Sequence, residues 1–177
     1  MTPQVILVTG GARSGKSSFA LERALTFKKR VFIATAIPFD DEMKLRIGRH
    51  RAERADKFET IEAPLDVAAA LCSLPAGTEV VLIDCLTVWL GNLMSDEGEK
   101  AEWFPQLDEF LATLKRPPCN LIIVTNEVGM GIVPAYPLGR HFRDIAGTLN
   151  RRVAALATHV VLTVSGIPVT IKGNLST

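Results

Sequence analysis

Apolar residues in this 177-residue chain follow two rhythms. Short unbroken runs rich in valine and isoleucine ("QVILVTG", "VFIATA", "VVLID", "NLIIVTN" and "HVVLTVS") read as strands buried on both faces. Between them, apolar positions return every three or four residues. That period predicts helices over Lys16–Phe27, Asp41–Ala55, Pro64–Leu74, Thr87–Met94, Glu99–Leu114 and Leu138–Ala157. In the last of these, Leu138, Phe142, Ile145, Leu149, Val153 and Leu156 form one stripe for burial. "FETIEA" is a short further strand, and "GIPVTIKG" can add one at an edge. Strands alternating with helices imply an α/β fold whose central, mostly parallel sheet is covered by helices on both faces. The chain shows no repeat, low-complexity tract or linker. Pro117-Pro118 reads as a loop, and residues 1–177 are expected to form a single domain.

Composition narrows the classes. A net charge of +1 gives no global electrostatic case for a nucleic acid or an anionic membrane as main partner. Cys72, Cys85 and Cys119 are odd in number and far apart, which argues against a disulfide framework and fits a reducing compartment. The chain enters its first strand with no basic leader, and no apolar run approaches a membrane span. A soluble, cytoplasmic protein is the expectation.

The chemistry concentrates after the first strand. "GGARSGKS" (Gly10, Gly11, Ala12, Arg13, Ser14, Gly15, Lys16, Ser17) matches G-x-x-x-x-G-K-[ST], between a strand and a helix as a phosphate-binding loop requires. Glycines let the backbone N–H groups turn toward a phosphate chain, and the helix N-terminus adds partial positive charge. Lys16 would reach the β- and γ-phosphates, and Ser17 would hold Mg2+. "VVLIDC" ends a buried strand in Asp84, a second anchor for a hydrated magnesium ion or, more blandly, a helix cap. "VTNEVGMGIVP" sets Asn126 and Glu127 at the carboxyl edge of the sheet, where ligands bind in open α/β folds. A plain strand-to-helix turn explains that segment as well.

"DDEMKLRIGRHRAERADKF" poses a separate question. Helical spacing lines up Arg46, His50 and Arg54, with Ile47 beside them, and Arg49 and Arg51 flank the histidine in sequence. A solvated charged face is the ordinary reading of such a run. The alternative is chemical: neighbouring arginines disfavour protonation of His50 and bind phosphates, so a neutral imidazole could attack an α-phosphorus. His141 and His159 have no such surroundings and read as structural.

Together, "ILVTGGARSGKSSFA", the His50 helix, "ETIEAP", "VTNEVGMGIVP", "GRHFRDIAG" and "VSGIPV" resemble the bifunctional adenosylcobinamide kinase / adenosylcobinamide-phosphate guanylyltransferase family of cobalamin biosynthesis. The resemblance runs from about Val5 to Lys172. It implies a RecA-like P-loop NTPase that uses ATP or GTP with Mg2+ to phosphorylate adenosylcobinamide. GMP then passes from GTP to adenosylcobinamide phosphate through a guanylylated histidine, matched here by His50. It further implies nucleotide contacts at the P-loop, at Thr35, Ala36 and Ile37, at Arg51, Ala52, Glu53 and Arg54, and at Glu62 and Asp84, and a homotrimer. Some relatives carry two adjacent histidines in this helix, where this chain has Arg49 then His50, and some carry Glu at the position of Asp84. A plain small-molecule kinase, with no covalent role for His50, and a RecA-like nucleic-acid ATPase are the rival readings. The low net charge counts against the second.

Overall fold

The computed structural model describes residues 2–38, 41, 45, 48, 55–98 and 101–174. Seven strands form one sheet: β1 (Val5–Gly10), β2 (Arg30–Ala34), β3 (Glu59–Glu62), β4 (Val80–Asp84), β5 (Asn120–Val124), β6 (His159–Val164) and β7 (Ile167–Lys172). Their spatial order is β3-β2-β4-β5-β1-β6-β7. All neighbours are parallel except β6 and β7, a hairpin that closes one edge. Helices whose full span lies among the described residues flank the sheet: α1 (Lys16–Ala24), α2 (Val67–Cys72), α3 (Leu86–Glu97), α4 (Pro105–Lys115) and α5 (Pro137–Leu156). A 3-10 turn, Ala55–Lys57, leads into β3.

Period-two alternation divides the core. Val5, Leu7, Val31, Ile33, Val81, Ile83, Leu121 and Ile123 pack against α2–α5, around the buried Trp89, Phe104 and Phe110. Ile6, Val8, Phe32, Val80, Leu82, Ile122 and Val124 face the other way, onto Ala20 and Ala24 of α1 and onto Phe58. Both faces of the central strands are therefore dry, which is why they read as continuous apolar runs.

Helix ends differ from the periodicity where local chemistry decides them. The Asp66 carboxylate accepts from the Ala69 N–H, so α2 starts at Val67 and not at Pro64. Pro105 occupies the first turn of α4, and Phe104 before it is extended and fully buried. That helix therefore begins six residues later than the apolar pattern suggested. Asp41, Leu45 and Gly48 are helical, as expected of the arginine-rich stretch. His50, Arg51, Ala52, Glu53 and Arg54 lie outside the described residues, as do Arg46 and Arg49.

Candidate active site

At the carboxyl end of β1 the chain must turn sharply beneath neighbouring atoms. A Cβ on Gly10 would stand 2.5 Å from the hydroxyl oxygens of both Ser14 and Thr163, so only glycine fits. Gly15 adopts φ 93° and would press a Cβ to 3.1 Å of Gly166 Cα. Gly11, Ala12 and Arg13 form the exposed tip, while Ser14 and Lys16 are buried. The loop has an underpinning that nothing local in the sequence announces. Ser14 Oγ and Thr163 Oγ1 share a 2.7 Å hydrogen bond, and Thr163 Oγ1 also donates to Thr9 O at 3.3 Å. Gly166 N–H, in the β6–β7 turn, donates to Ser14 O at 2.9 Å, and Glu127 N–H donates to Gly10 O at 3.0 Å.

Unlike α2, helix α1 begins without a side-chain cap, and it has no acid in its first turn. Its leading N–H groups and the positive end of its dipole stay open to an anion. Lys16 Nζ donates to Gly11 O at 2.9 Å, which folds the ammonium back onto the loop from which it starts. The expected cradle is thus present in shape and in charge.

Strand register and alternation place the other candidates relative to it. Glu62, Ala34, Asp84, Val124 and Val8 lie side by side across five strands. Ala34, Val124 and Val8 belong to the α1 face, so Glu62 and Asp84, at the same register, share the face of the phosphate loop. β5 alone separates β4 from β1, so Asp84 stands two strand spacings from the loop strand, about 10 Å. Ser17 opens α1 on that face, half-buried. A hydroxyl and a carboxylate are hard oxygen donors, and this gap is the right order for a small cation bound directly by one and through a water by the other. The residues present therefore fit Mg2+.

Thr35 lies at the same edge of the sheet, directly after β2. It has no exposed surface, and its hydroxyl is committed to the backbone N–H and carbonyl of Cys85, both at 3.0 Å. It ties the end of β2 to the start of α3, with Asn92 Nδ2 donating to Thr35 O at 2.7 Å. Surface at this edge belongs to Ala36, half-buried, and Ile37, exposed. Cys85, beside Asp84, is sealed in the core: burial first, then the neighbouring carboxylate, pushes its thiol up to about 11. His141 Nε2 donates to Ala101 O at 2.8 Å, and His159 Nδ1 pairs with Thr158 Oγ1 at 2.9 Å, contacts in keeping with the structural reading of both.

Sequence reasoning missed the polar joint behind the site. Thr125 Oγ1 donates to Asn150 Oδ1 at 2.8 Å, Asn150 Nδ2 donates to Asn126 O at 3.1 Å, and Asn126 N–H donates to Thr87 Oγ1 at 2.8 Å. The signal was a pair of polar residues, Thr125 and Asn126, directly after the apolar run that ends β5 at Val124.

A glycine-rich loop between the strand and helix of an open parallel sheet, facing an acid two strands away, defines a P-loop NTPase. The solved RadB recombinase shares the architecture, with a TM-score of 0.50 at 18% identity over 91% of this chain and 74% of that one. A protein of Pyrococcus horikoshii OT3 matches with a TM-score of 0.55 at 8% identity over 97% and 87%. These likenesses establish the RecA-like fold. Residues 6–171 match the model of the cobinamide kinase / cobinamide phosphate guanyltransferase family, and the chain belongs to that family. It is 42% identical to the bifunctional adenosylcobalamin biosynthesis protein CobU of Escherichia coli (strain K12), covering 95% of this chain and 99% of that one. It is 40% identical to the CobP protein of the same description from Pseudomonas aeruginosa, over 94% and 96%.

Proposed function

We propose that the chain, acting as one catalytic domain, phosphorylates adenosylcobinamide with ATP or GTP and then converts the phosphate to adenosylcobinamide-GDP. In the first reaction an acceptor hydroxyl attacks the γ-phosphorus, the bond to the bridging oxygen breaks with its electron pair on the departing nucleoside diphosphate, and the hydroxyl proton passes to solvent. In the second, a ring nitrogen of His50 attacks the α-phosphorus of GTP and releases pyrophosphate. The acceptor's phosphate oxygen then displaces His50 from the guanylyl group. The observation that carries this reading is the open, uncapped N-terminus of α1 on the same sheet face as Asp84 and Glu62. Full-length family membership supplies the substrates.

In this reading Gly10–Ser17 wraps the phosphates and Lys16 leaves Gly11 O to meet them. Ser17 and Asp84 would hold Mg2+, which supplies charge neutralisation on the phosphate oxygens when bound. Ala36 and Ile37 line the edge beside Asp84, and Arg51, Ala52, Glu53 and Arg54 follow the nucleophile. Glu62 lies two strands beyond Asp84, four spacings or about 19 Å from the loop strand, a distance of the order of an extended nucleoside triphosphate. Its carboxylate can accept two hydrogen bonds from guanine, a pair that adenine does not offer. The homotrimer remains part of the proposal. Ile167, Val169 and Ile171 on edge strand β7 are exposed, and such apolar edges are normally covered by another chain. We place the enzyme in the cytoplasm; the three free cysteines support this, and among the described residues no helix is long and apolar enough to cross a membrane.

The test is turnover. Adenosylcobinamide with GTP and Mg2+ should give the phosphate first, then the GDP derivative with one pyrophosphate released, followed by chromatography and mass. Phosphate accumulating with no GDP derivative would favour the plain kinase.

A further inference from the structure

Exposed apolar side chains are gathered in this molecule, not scattered. Among the described residues, the largest group besides the β7 edge sits on the loop from β5 to α5. There Met130 is 81% exposed, Ile132 96% and Tyr136 79%, with Val133 and Leu138 also in solvent. Residues 128–139 carry no charged side chain. Contiguous apolar surface of this kind marks a place where something else binds.

The loop is built to hold these side chains out. At its start Glu127 N–H donates to Gly10 O at 3.0 Å, and Glu127 Oε1 accepts the Gly129 N–H at 2.8 Å. Val128 packs against the core. At its end Arg140 donates from its guanidinium to Pro134 O at 2.9 Å and to Ala135 O at 2.7 Å. The Arg140 N–H also donates to Tyr136 O at 3.2 Å. Both feet of the loop are therefore fixed. Gly131, between them, has no left-handed backbone, and a Cβ added to it would meet nothing within 4 Å. The protein's own packing does not require glycine there. What the missing side chain leaves is bare backbone between Met130 and Ile132, open to close approach by a flat partner.

Two features choose the occupant. The first foot of the loop is bonded to the first residue of the phosphate loop, so a molecule lying on it borders the triphosphate site. The surface is uncharged, which does not suit a nucleotide, and unlike β7 it offers no strand edge for another chain to extend. We propose that this loop is the docking surface for the macrocycle of the acceptor, with Met130, Ile132 and Tyr136 as its specificity-determining contacts. The proposal rests on the acceptor named above. Adenosylcobinamide presents its hydroxyl on a short arm of a broad ring with apolar edges. The ring is too wide for the phosphate cradle, so it rests on adjoining surface while the arm reaches the γ-phosphoryl group. Thioether, aliphatic and aromatic side chains hold such a ring by contact area, not by directed hydrogen bonds.

The experiment compares wild type with Met130→Ser and Ile132→Ser. Both side chains stand in solvent, so each variant should melt within about 2 °C of wild type. In the kinase step KM for adenosylcobinamide should rise about tenfold in each, the loss of one large apolar contact, with kcat within about threefold. Affinity for a non-hydrolysable GTP analogue with Mg2+ should stay within about twofold, because the loop holds the acceptor and not the nucleotide. A second readout needs no turnover. Tyr136 is the single tyrosine of the chain, so nitration followed by peptide mass mapping reports on it alone. Saturating adenosylcobinamide should slow nitration of Tyr136 in wild type by about fivefold or more, as burial under a ligand requires, and ATP with Mg2+ should not. KM unchanged in both variants, or Tyr136 nitrated at the same rate with and without adenosylcobinamide, would overturn the proposal. So would a smaller assembly for Ile132→Ser than for wild type in sedimentation at the assay concentration, since a second copy would then cover the loop. If adenosylcobinamide protects Tyr136 yet is not phosphorylated, the kinase assignment falls and the docking surface stands. Turnover without protection leaves the kinase assignment standing and removes the docking surface.

Discussion

Thr163→Val removes the strut beneath the phosphate loop while nearly preserving shape. Thr163 is 2% exposed and lies 149 residues from Ser14 in sequence, so its bond to Ser14 Oγ is purely tertiary. The substitution deletes the 2.7 Å bond and the longer 3.3 Å bond to Thr9 O. A net hydrogen bond contributes about 1 kcal/mol, the long one about half that, and the buried Ser14 hydroxyl left without its partner adds about 1–2 kcal/mol. The added methyl must also sit where a hydroxyl was in hydrogen-bond contact. We expect a loss of about 2.5–3.5 kcal/mol, or about 5–14 °C in Tm for a domain of this size. Urea denaturation of wild type, Ser14→Ala, Thr163→Val and the double variant forms a cycle. Removing both partners should recover about 1–2 kcal/mol relative to the sum of the singles. A Thr163→Val loss below about 0.5 kcal/mol, or strictly additive singles, would refute the strut.

Other outcomes can be checked together. Lys16→Ala should cost about 1 kcal/mol through the Gly11 bond, while both activities fall by orders of magnitude; near-normal turnover would remove the loop from the mechanism. Native protein treated with a thiol alkylating reagent should be labelled at exposed Cys72 alone, because burial holds the Cys85 and Cys119 thiols protonated, each pushed up to about 11. Unfolded protein should take three labels, and fast native labelling of Cys85 would contradict the sealed core behind Asp84. Glu62→Gln should reduce the preference for GTP over ATP, measured as a ratio of kcat/KM; an unchanged ratio would leave Glu62 a structural or ribose-side residue.

Most of the fold was legible because both of its rhythms are strong. Strands buried on two faces leave unbroken Val/Ile runs, and α5 carries its buried face in regular steps at Ile145, Leu149 and Val153. What was not legible is chemistry that overrides periodicity over one or two residues, such as the Asp66 cap and the Pro105 start. At the site, the loop could be read because its function needs fixed residue types at fixed spacing in one short segment. That the Thr35 hydroxyl is spent on the backbone of Cys85 was not legible, since a threonine at a strand end looks the same whether its hydroxyl meets a ligand or the main chain. Thr163 and Asn150 were invisible because their partners lie 149 and 25 residues away, and only the topology brings them together.

The central claim is that His50 carries the guanylyl group, and intact-protein mass tests it most directly. Wild type and His50→Asn are incubated side by side with GTP and Mg2+, then analysed without exposure to acid. Asparagine is polar and of similar size but offers no nucleophilic ring nitrogen. The account predicts one GMP on wild type, lost in acid and retained in alkali as a phosphorus–nitrogen bond requires, and none on His50→Asn. Equal adduct on both proteins, or none on wild type with active kinase, would contradict it.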